Sequence, residues 1–317
     1  MIFEKLSCKG LVEDFESNLK IKIDECIKKF RAPSLAVILV GENPASQIYV
    51  KKKKESCEKL GITHTQITFP ENISEDILVD KIEELNKDDS IDGILVQLPL
   101  PSHIDENRVI NSIRVDKDVD GFSPENVGKM ILGQECFLPC TPAGVLEIIK
   151  YFNIDTVGKN VTIFGRSNIV GRPIANLLSQ KPYNANVTLF HSKSLMIDIL
   201  YNLRYSDIVI LAVGSPNFFD YKKLNSLIYY NYNNNITIID IGMNRVSDLT
   251  KKSGYRLCGD LSMSDIDDKK EILKDSMQER VLRYTPVPGG VGLTTVMALM
   301  SNTLEACIRH SGINYGK

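Results

Sequence analysis

The strongest pattern along the chain is a series of short apolar runs, each closed by polar or turn-forming residues. Residues 34–41, SLAVILVG, are apolar without alternation and stop at a glycine, as a strand buried on both faces of a parallel sheet does. An amphipathic helix is expected before it over residues 11–30, and a second helix after it from Tyr49 to Leu60. THTQITF (63–69) alternates as a strand, SEDILVDKIEELNK (74–87) has helical period, and DGILVQLPLP (92–101) is a further buried strand ending in prolines. The order βαβαβ implies a parallel sheet with helices on its faces.

A second rhythm begins at NVTIFGRSNIVGRP (160–173), a strand running through a glycine-bearing turn into a helix, and continues with strands in NVTLFHS, DIVILAVG and ITIIDIG. Four strands in that order make a doubly wound nucleotide-binding sheet. Pro, Gly and Asp punctuate DKDVDGFSPENVGKM and PCTPAG, which places a domain boundary near residue 140. YYNYNNN (229–235) reads as a solvated loop, and TTVMALMSNTLEACIRH (294–310) as a helix apolar enough to pack on protein. The expected fold is α/β with two α/β domains. A three-layer N-terminal domain covers residues 1–140 and takes back the C-terminal segment 288–317, and a Rossmann-like domain covers 141–287.

Composition narrows the function classes. With 317 residues, 43% of them apolar, the chain has material for two cores, and a net charge of -2 with interspersed lysines gives no basic footprint for nucleic acid. No run approaches the ~18 apolar residues of a membrane span, and the first residues show no targeting pattern, so a cytoplasmic protein is expected. The seven cysteines are scattered without a C-x-x-C and read as reduced, mostly buried thiols, with no metal site expected, even at the closest pair, Cys136 and Cys140.

Two stretches carry candidate chemistry. In ASQIYVKKKKES, helical geometry gathers Tyr49, Lys53, Cys57 and Leu60 on one arc and turns Lys51, Lys52 and Lys54 elsewhere. A lysine on an apolar stripe must find a partner or change its pKa, although one seen alone more often snorkels to solvent. In FGRSNIVGRP, Gly165 and Gly171 do not make the G-x-G-x-x-G fingerprint, yet a strand runs into the turn and Pro173 suits a first helical turn, so helix N–H groups are offered to a pyrophosphate. The plain alternative is a tight strand-to-helix connection. The next strand ends in FHSKS, where an NAD site places an acid; His191, Ser192 and Lys193, with Arg166 in the first turn, favour a 2′-phosphate and hence NADP.

Six segments, VGENPASQIYVKKK, GILVQLPLP, DVDGF, PCTPAG, GRSNIVGRP and TPVPGGVG, in this order and spacing from about residue 8 to 310, resemble the bifunctional methylenetetrahydrofolate dehydrogenase/methenyltetrahydrofolate cyclohydrolase family. The resemblance implies oxidation of 5,10-methylenetetrahydrofolate with NADP and hydrolysis of the methenyl product to 10-formyltetrahydrofolate, by a homodimer. Its catalytic set falls on Lys53, Tyr49, Gln97 and Asp120. Its folate contacts extend to Leu98, Pro286, Gly289 and Gly290, and its cofactor contacts fall on Gly165, Arg166, Ser167, Ser192, Val213, Gly214, Met243 and Thr285. The chemistry suits these residue types. A lysine acts as a base only when part of it is neutral, a neutral glutamine holds the amine without raising its pKa, and an aspartate accepts two donors from a pterin edge. Lys53 is then expected to serve the hydrolytic step above all.

Three positions depart from the family pattern: Leu293 replaces a proline, Ser123 a histidine, and Met243 a branched apolar residue. They bear on affinity and cofactor preference rather than on any reacting group. Another two-domain NADP-dependent dehydrogenase, a monofunctional dehydrogenase and a non-catalytic folate-binding protein remain as alternatives.

Overall fold

The structure, a computed structural model, describes residues 2–233, 235–251, 254–264, 266–267 and 280–312. Contacts divide the chain into two compact units, one of Val12–Cys140 with the chain from Thr295 on, the other of the residues up to Leu11 with Thr141–Thr294.

The first unit is built on a parallel three-stranded sheet in the order β3-β2-β4, formed by β2 (Ser34–Val40), β3 (Thr63–Phe69) and β4 (Gly93–Val96). Every residue of the central β2 is buried, so both sheet faces are covered and no alternation shows in its sequence. On one face Ala36, Ile38, Val40, Ile94 and Val96 pack against Leu78, Ile82 and Leu85 of α3 (Glu75–Lys87) and Val109 of α4 (Glu106–Ser112). The Ser74 side chain caps α3 by accepting from Ile77 N, and Glu75 and Asp76 sit in its positive first turn. Helices α1 (Lys9–Lys29) and α2 (Pro44–Leu60) connect the strands, and α2 starts at Pro44 rather than Tyr49 because proline is already set for a first helical turn. The short α5 (Pro124–Ile131) and the start of α6 (Cys140–Tyr151) follow.

The final helix, α10 (Val291–Ser311), returns to this unit: Cys307 Sγ lies 3.7 Å from Cys26 Sγ, Cys57 Sγ donates to Met300 Sδ at 3.5 Å, and His310 bridges Asp92 and Asp116 at 3.1 Å each. Contrary to the sequence reading, α10 is long and apolar enough on average to cross a membrane, because its Thr and Ser positions only dilute the apolar ones; most of that window is buried in protein.

The second unit holds a six-stranded, wholly parallel sheet in the order β1-β11-β8-β7-β5-β6. Its strands are β1 (Ile2–Lys5), β5 (Asn160–Phe164), β6 (Asn186–Phe190), β7 (Ile208–Leu211), β8 (Asn235–Asp240) and β11 (Val281–Tyr284). Phe164, Leu211, Phe219, Ile236, Ile238 and Leu282 form its core with α8 (Met196–Leu203) and α9 (Tyr221–Tyr230). α7 (Gly171–Ser179) follows β5, and β9 (Asn244–Ser247) pairs antiparallel with β10 (Tyr255–Cys258). The expected division of the chain shifts at both ends: residues 1–11 and 288–294 group with this unit, since β1 pairs with β11 in register Ile2↔Val281 to Lys5↔Tyr284. The expected loop 229–235 is shorter, because α9 runs to Tyr230 and β8 starts at Asn235; residue 234 lies outside the described residues.

Candidate active site

Ser46, Val50, Lys53, Cys57 and Leu60 form the buried arc of α2, with Tyr49 half-buried beside it one turn before Lys53. Lys51 and Lys54 are exposed and pair loosely with Glu55 and Glu58 at 3.9 and 3.8 Å. Lys53 is 9% exposed, and its amine donates to Gln97 Oε1 at 2.9 Å. Gln97 is held just past β4 by its own N–H, which donates to Ile38 O at 2.9 Å, and by its Nε2, which donates to Leu98 O at 2.8 Å. Leu98 packs on the core beneath.

The third side belongs to the DVDGF turn, whose two aspartates have different duties. Asp118, 1% exposed, accepts from Gly121 N, Phe122 N, Ser123 N and Asn126 Nδ2 at 2.7–3.2 Å, so it organises the turn. Gly121 has φ +72°, and a Cβ there would sit 2.6 Å from Phe137 O, so only glycine lets the two segments pass. Ser123 is buried and caps α5 by accepting from Asn126 N. The departure at 123 thus has a structural role, which a serine fills well.

Asp120 instead neighbours Lys53 and Cys140. Burial drives the Lys53 ammonium toward the neutral amine, while Asp120, Cys140 and Cys57 pull it back toward charge. Burial likewise raises the Asp120 carboxyl, against the opposing pull of Lys53 and a hydrogen bond from the Cys140 thiol. Burial also pushes up the Tyr49 hydroxyl. The unit therefore joins an amine whose pKa burial lowers, an uncharged amide acceptor and a half-buried carboxyl whose pKa burial raises, a set suited to moving one proton and binding a polar heterocycle edge.

In the other unit, the loops after the parallel strands carry the remaining predicted residues. Gly165 has φ +110°, and a Cβ there would overlap Ala212 O; a Cβ on Gly171 would overlap Gly165 O. Ser167 Oγ accepts from Val170 N at 3.2 Å and Gly171 N at 3.4 Å, and Pro173 is buried in the first turn of α7. This strand–turn–helix fits a pyrophosphate. Arg166, Ser192 and Lys193 are exposed, and no acid stands between His191 and Ser194. The N–H groups of Val213, Gly214 and Ser215 donate to the buried Asp260 at 2.7–3.0 Å, a brace the sequence reading did not contain. Thr285 is 1% exposed and its Oγ1 accepts from Asp240 N at 2.8 Å, so its side chain ties β8 to the loop after β11. Met243 lies against Gly292. Gly289 has φ +105°, and a Cβ on Gly290 would sit 2.5 Å from Pro286 O.

Two family models match the chain. Residues 6–120 match the tetrahydrofolate dehydrogenase/cyclohydrolase catalytic domain, and residues 139–311 match the NAD(P)-binding domain of the same family. This chain belongs to the tetrahydrofolate dehydrogenase/cyclohydrolase family. Among its family relatives, the bifunctional protein FolD of Prosthecochloris aestuarii is 42% identical over 306 residues, spanning 95% of this chain and 97% of that protein. Among solved structures, the bifunctional FolD of Campylobacter jejuni superposes with a TM-score of 0.83 at 38% identity, over 97% of this chain and 99% of that one. The methylenetetrahydrofolate dehydrogenase-cyclohydrolase of Trypanosoma brucei, complexed with NADP cofactor and inhibitor, superposes with a TM-score of 0.85 at 30% identity, over 97% and 98% of the two chains. The family's catalytic and NAD(P)-binding domains thus account for both units.

Of the predicted catalytic set, Lys53 bonds to Gln97 and feels the charge of Asp120 within one unit, with Tyr49 a turn away from Lys53; of the predicted folate contacts, Pro286, Gly289 and Gly290 belong to the other unit. Sequence reasoning missed Cys140 as a site neighbour. Its one available signal was the position of PCTPAG among the six motifs.

Proposed function

We propose that this chain oxidises 5,10-methylenetetrahydrofolate with NADP and hydrolyses the methenyl product to 10-formyltetrahydrofolate. The observation that carries this reading is the buried Lys53 amine bonded at 2.9 Å to an uncharged acceptor, Gln97, with Asp120 as its neighbouring acid. NADP, when bound, supplies the hydride acceptor; Gly165, Arg166, Ser167 and Ser192 would hold its phosphates, and the loop at Val213 and Gly214 would face its ring end. In the hydrolytic step water adds to the methenyl carbon and the Lys53 amine takes its proton. The resulting ammonium returns a proton to the departing ring nitrogen as the carbon–nitrogen bond breaks, and the adduct's hydroxyl proton leaves to solvent as the formyl carbonyl forms. Gln97 keeps the amine aimed without stabilising its charged form as an acid would. Asp120 accepts from the pterin edge, with Tyr49 and Leu98 lining the approach.

The same reading makes the protein a cytoplasmic homodimer. It is supported by seven cysteines free of disulfides, by β6 standing at a sheet edge, and by the exposed Leu195, Met196, Ile197 and Tyr201 at α8. The test is spectroscopic: addition of methylenetetrahydrofolate and NADP should produce methenyltetrahydrofolate absorbance that then decays. Absence of both phases with folded protein would remove the reading.

A further inference from the structure

Asp260 is wholly buried, and its carboxylate takes four donors from two loops at the C-terminal ends of the parallel strands of the second unit. Oδ2 accepts from Val213 N at 2.7 Å and Gly214 N at 3.0 Å, and Oδ1 accepts from Ser215 N at 2.9 Å and Asn244 Nδ2 at 3.0 Å. A carboxylate has about four acceptor positions, so all are in use. Val213, Gly214 and Ser215 follow β7, whereas Asn244 comes after β8 and directly follows Met243. One side chain thus fastens both loops that carry Val213, Gly214 and Met243, three of the expected cofactor contacts.

The acid is itself held in place. Its N–H donates to Asp240 Oδ1 at 3.1 Å, the next N–H, of Leu261, donates to Asp240 Oδ2 at 2.9 Å, and its carbonyl accepts from Phe219 N at 2.8 Å. A Cβ on Gly242 would overlap Asp260 Oδ1, so a glycine there lets the carboxylate come close to the loop after β8. Successive N–H groups that converge on one point form a concavity for anions, and Gly214, at φ +70°, lets those of 213–215 do so. The three residues are exposed on their outer side, but their N–H groups turn inward and are taken. None of the three can serve a cofactor phosphate, which leaves the pyrophosphate to the turn after β5.

We propose that Asp260 is a positioning residue for the cofactor: as an internal anion it fills the concavity of 213–215, ties it to Asn244, and so shapes both loops for the nicotinamide end of NADP rather than for a phosphate. The proposal rests on the reading that this unit binds NADP with the loop at Val213 and Gly214 toward its ring end. Asp260 acts through the two loops and is buried away from the cofactor itself.

The experiment is calorimetric titration of the protein with NADP and with adenosine 2′,5′-bisphosphate, a probe that carries the adenine end and lacks the nicotinamide riboside; thermal midpoints are read for every variant. Asp260→Asn keeps the shape but turns acceptor positions into donors that face other N–H groups. It should raise the Kd for NADP about tenfold, the scale of hydrogen bonds lost to a charged group, and leave that for the bisphosphate near its wild-type value. Asn244→Ala deletes one of the donors and leaves the carboxylate in place. It should shift NADP in the same direction by about threefold, the scale of a single hydrogen bond, and it carries the comparison if Asp260→Asn does not fold. Equal weakening of the two ligands would mean a general loosening of the unit and overturn the proposal. So would a lowered thermal midpoint with NADP bound as tightly as by the wild type. Wild-type protein that takes up neither ligand removes the cofactor reading and the proposal with it, whereas equally tight NADP binding by wild type and Asp260→Asn overturns the proposal alone.

Discussion

Lys53 Nζ donates to Gln97 Oε1 at 2.9 Å, across the gap between a helix and the end of a strand. The partner is neutral, so the amine is held without being locked into its charged form. Gln97→Glu should reverse this: the new carboxylate forms an ion pair, raises the lysine pKa and lowers cyclohydrolase activity by ~10²-fold or more, the contribution of a general base. A shift of the pH optimum to the alkaline side, measured on methenyltetrahydrofolate, is the accompanying sign.

Lys53→Met keeps the stem and deletes the amine. Hydrolysis should fall by about 10² to 10⁴-fold and the dehydrogenase by less, since hydride transfer needs orientation rather than a proton acceptor. Lys51→Met, on the exposed side of α2, is the control and should behave as wild type. Equal losses from the two substitutions would refute the assignment of Lys53.

Cofactor choice should reside in Arg166. Exposed in the turn after β5, it has no acid competing for it between His191 and Ser194. Arg166→Ala should weaken NADP binding by at least tenfold and NAD binding little, as calorimetric titration with each cofactor will show; only the former loses a phosphate partner. Parallel weakening of both cofactors would argue against it.

Asp240 ties folding stability to pH. Burial pushes its carboxyl up to about 7, against backbone N–H donors from Leu261, Asp260 and Gly242 that pull it down. In the unfolded chain it titrates near ~3.9. Between these values the folded state binds the extra proton, so this group's contribution to stability falls as pH rises from about 4 to about 7, by at most ~1.4 kcal/mol per pH unit. Denaturation midpoints taken at pH 5.5, 6.5 and 7.5 should show that decline, and Asp240→Asn should flatten it.

Asp92 acts in the opposite sense and at lower pH. Burial alone would raise its carboxyl, but bonds from His310, Arg31 and Ser34 N outweigh that and hold it below the usual range. Its contribution is complete above the ordinary carboxylate pKa and is lost as pH falls through the depressed one. Asp92→Asn should destabilise by on the order of 3 kcal/mol near neutrality, because Arg31 and His310 lose a fully buried partner, and by progressively less as pH falls below the ordinary carboxylate pKa.

What the sequence disclosed and what it hid follow from range. The arc of Tyr49, Lys53, Cys57 and Leu60 depends only on helical period, so Lys53 stood out before any contact was known; that Ser46 and Val50 share the buried side came from the structure. β2 and β7 announced themselves as unbroken apolar runs because both their faces are covered. β1 did not, since three of its four residues are exposed at a sheet edge and it carries no apolar pattern. Asn302, midway along α10, has its Nδ2 3.8 Å from Cys140 Sγ across 162 residues, and no local rule connects an amide in one helix with a thiol at the start of another. The two aspartates of DVDGF look alike in sequence; only the four donors on Asp118 show that it is spent on the turn.

The pairing of β1 with β11 sets an order of events on the ribosome. Glu4 and Arg283 face each other across 279 residues. β1 therefore leaves the exit tunnel before the strand it pairs with exists and must wait, with its edge groups bonded to water, until residues 281–284 have been synthesised. The unit of residues 12–140 is in the same position, since Cys26 and Asp92 meet Cys307 and His310 only once α10 has been synthesised. Nascent chains arrested before residue 281 should thus lack a completed version of either unit, and their protease resistance should appear in one late step rather than half by half.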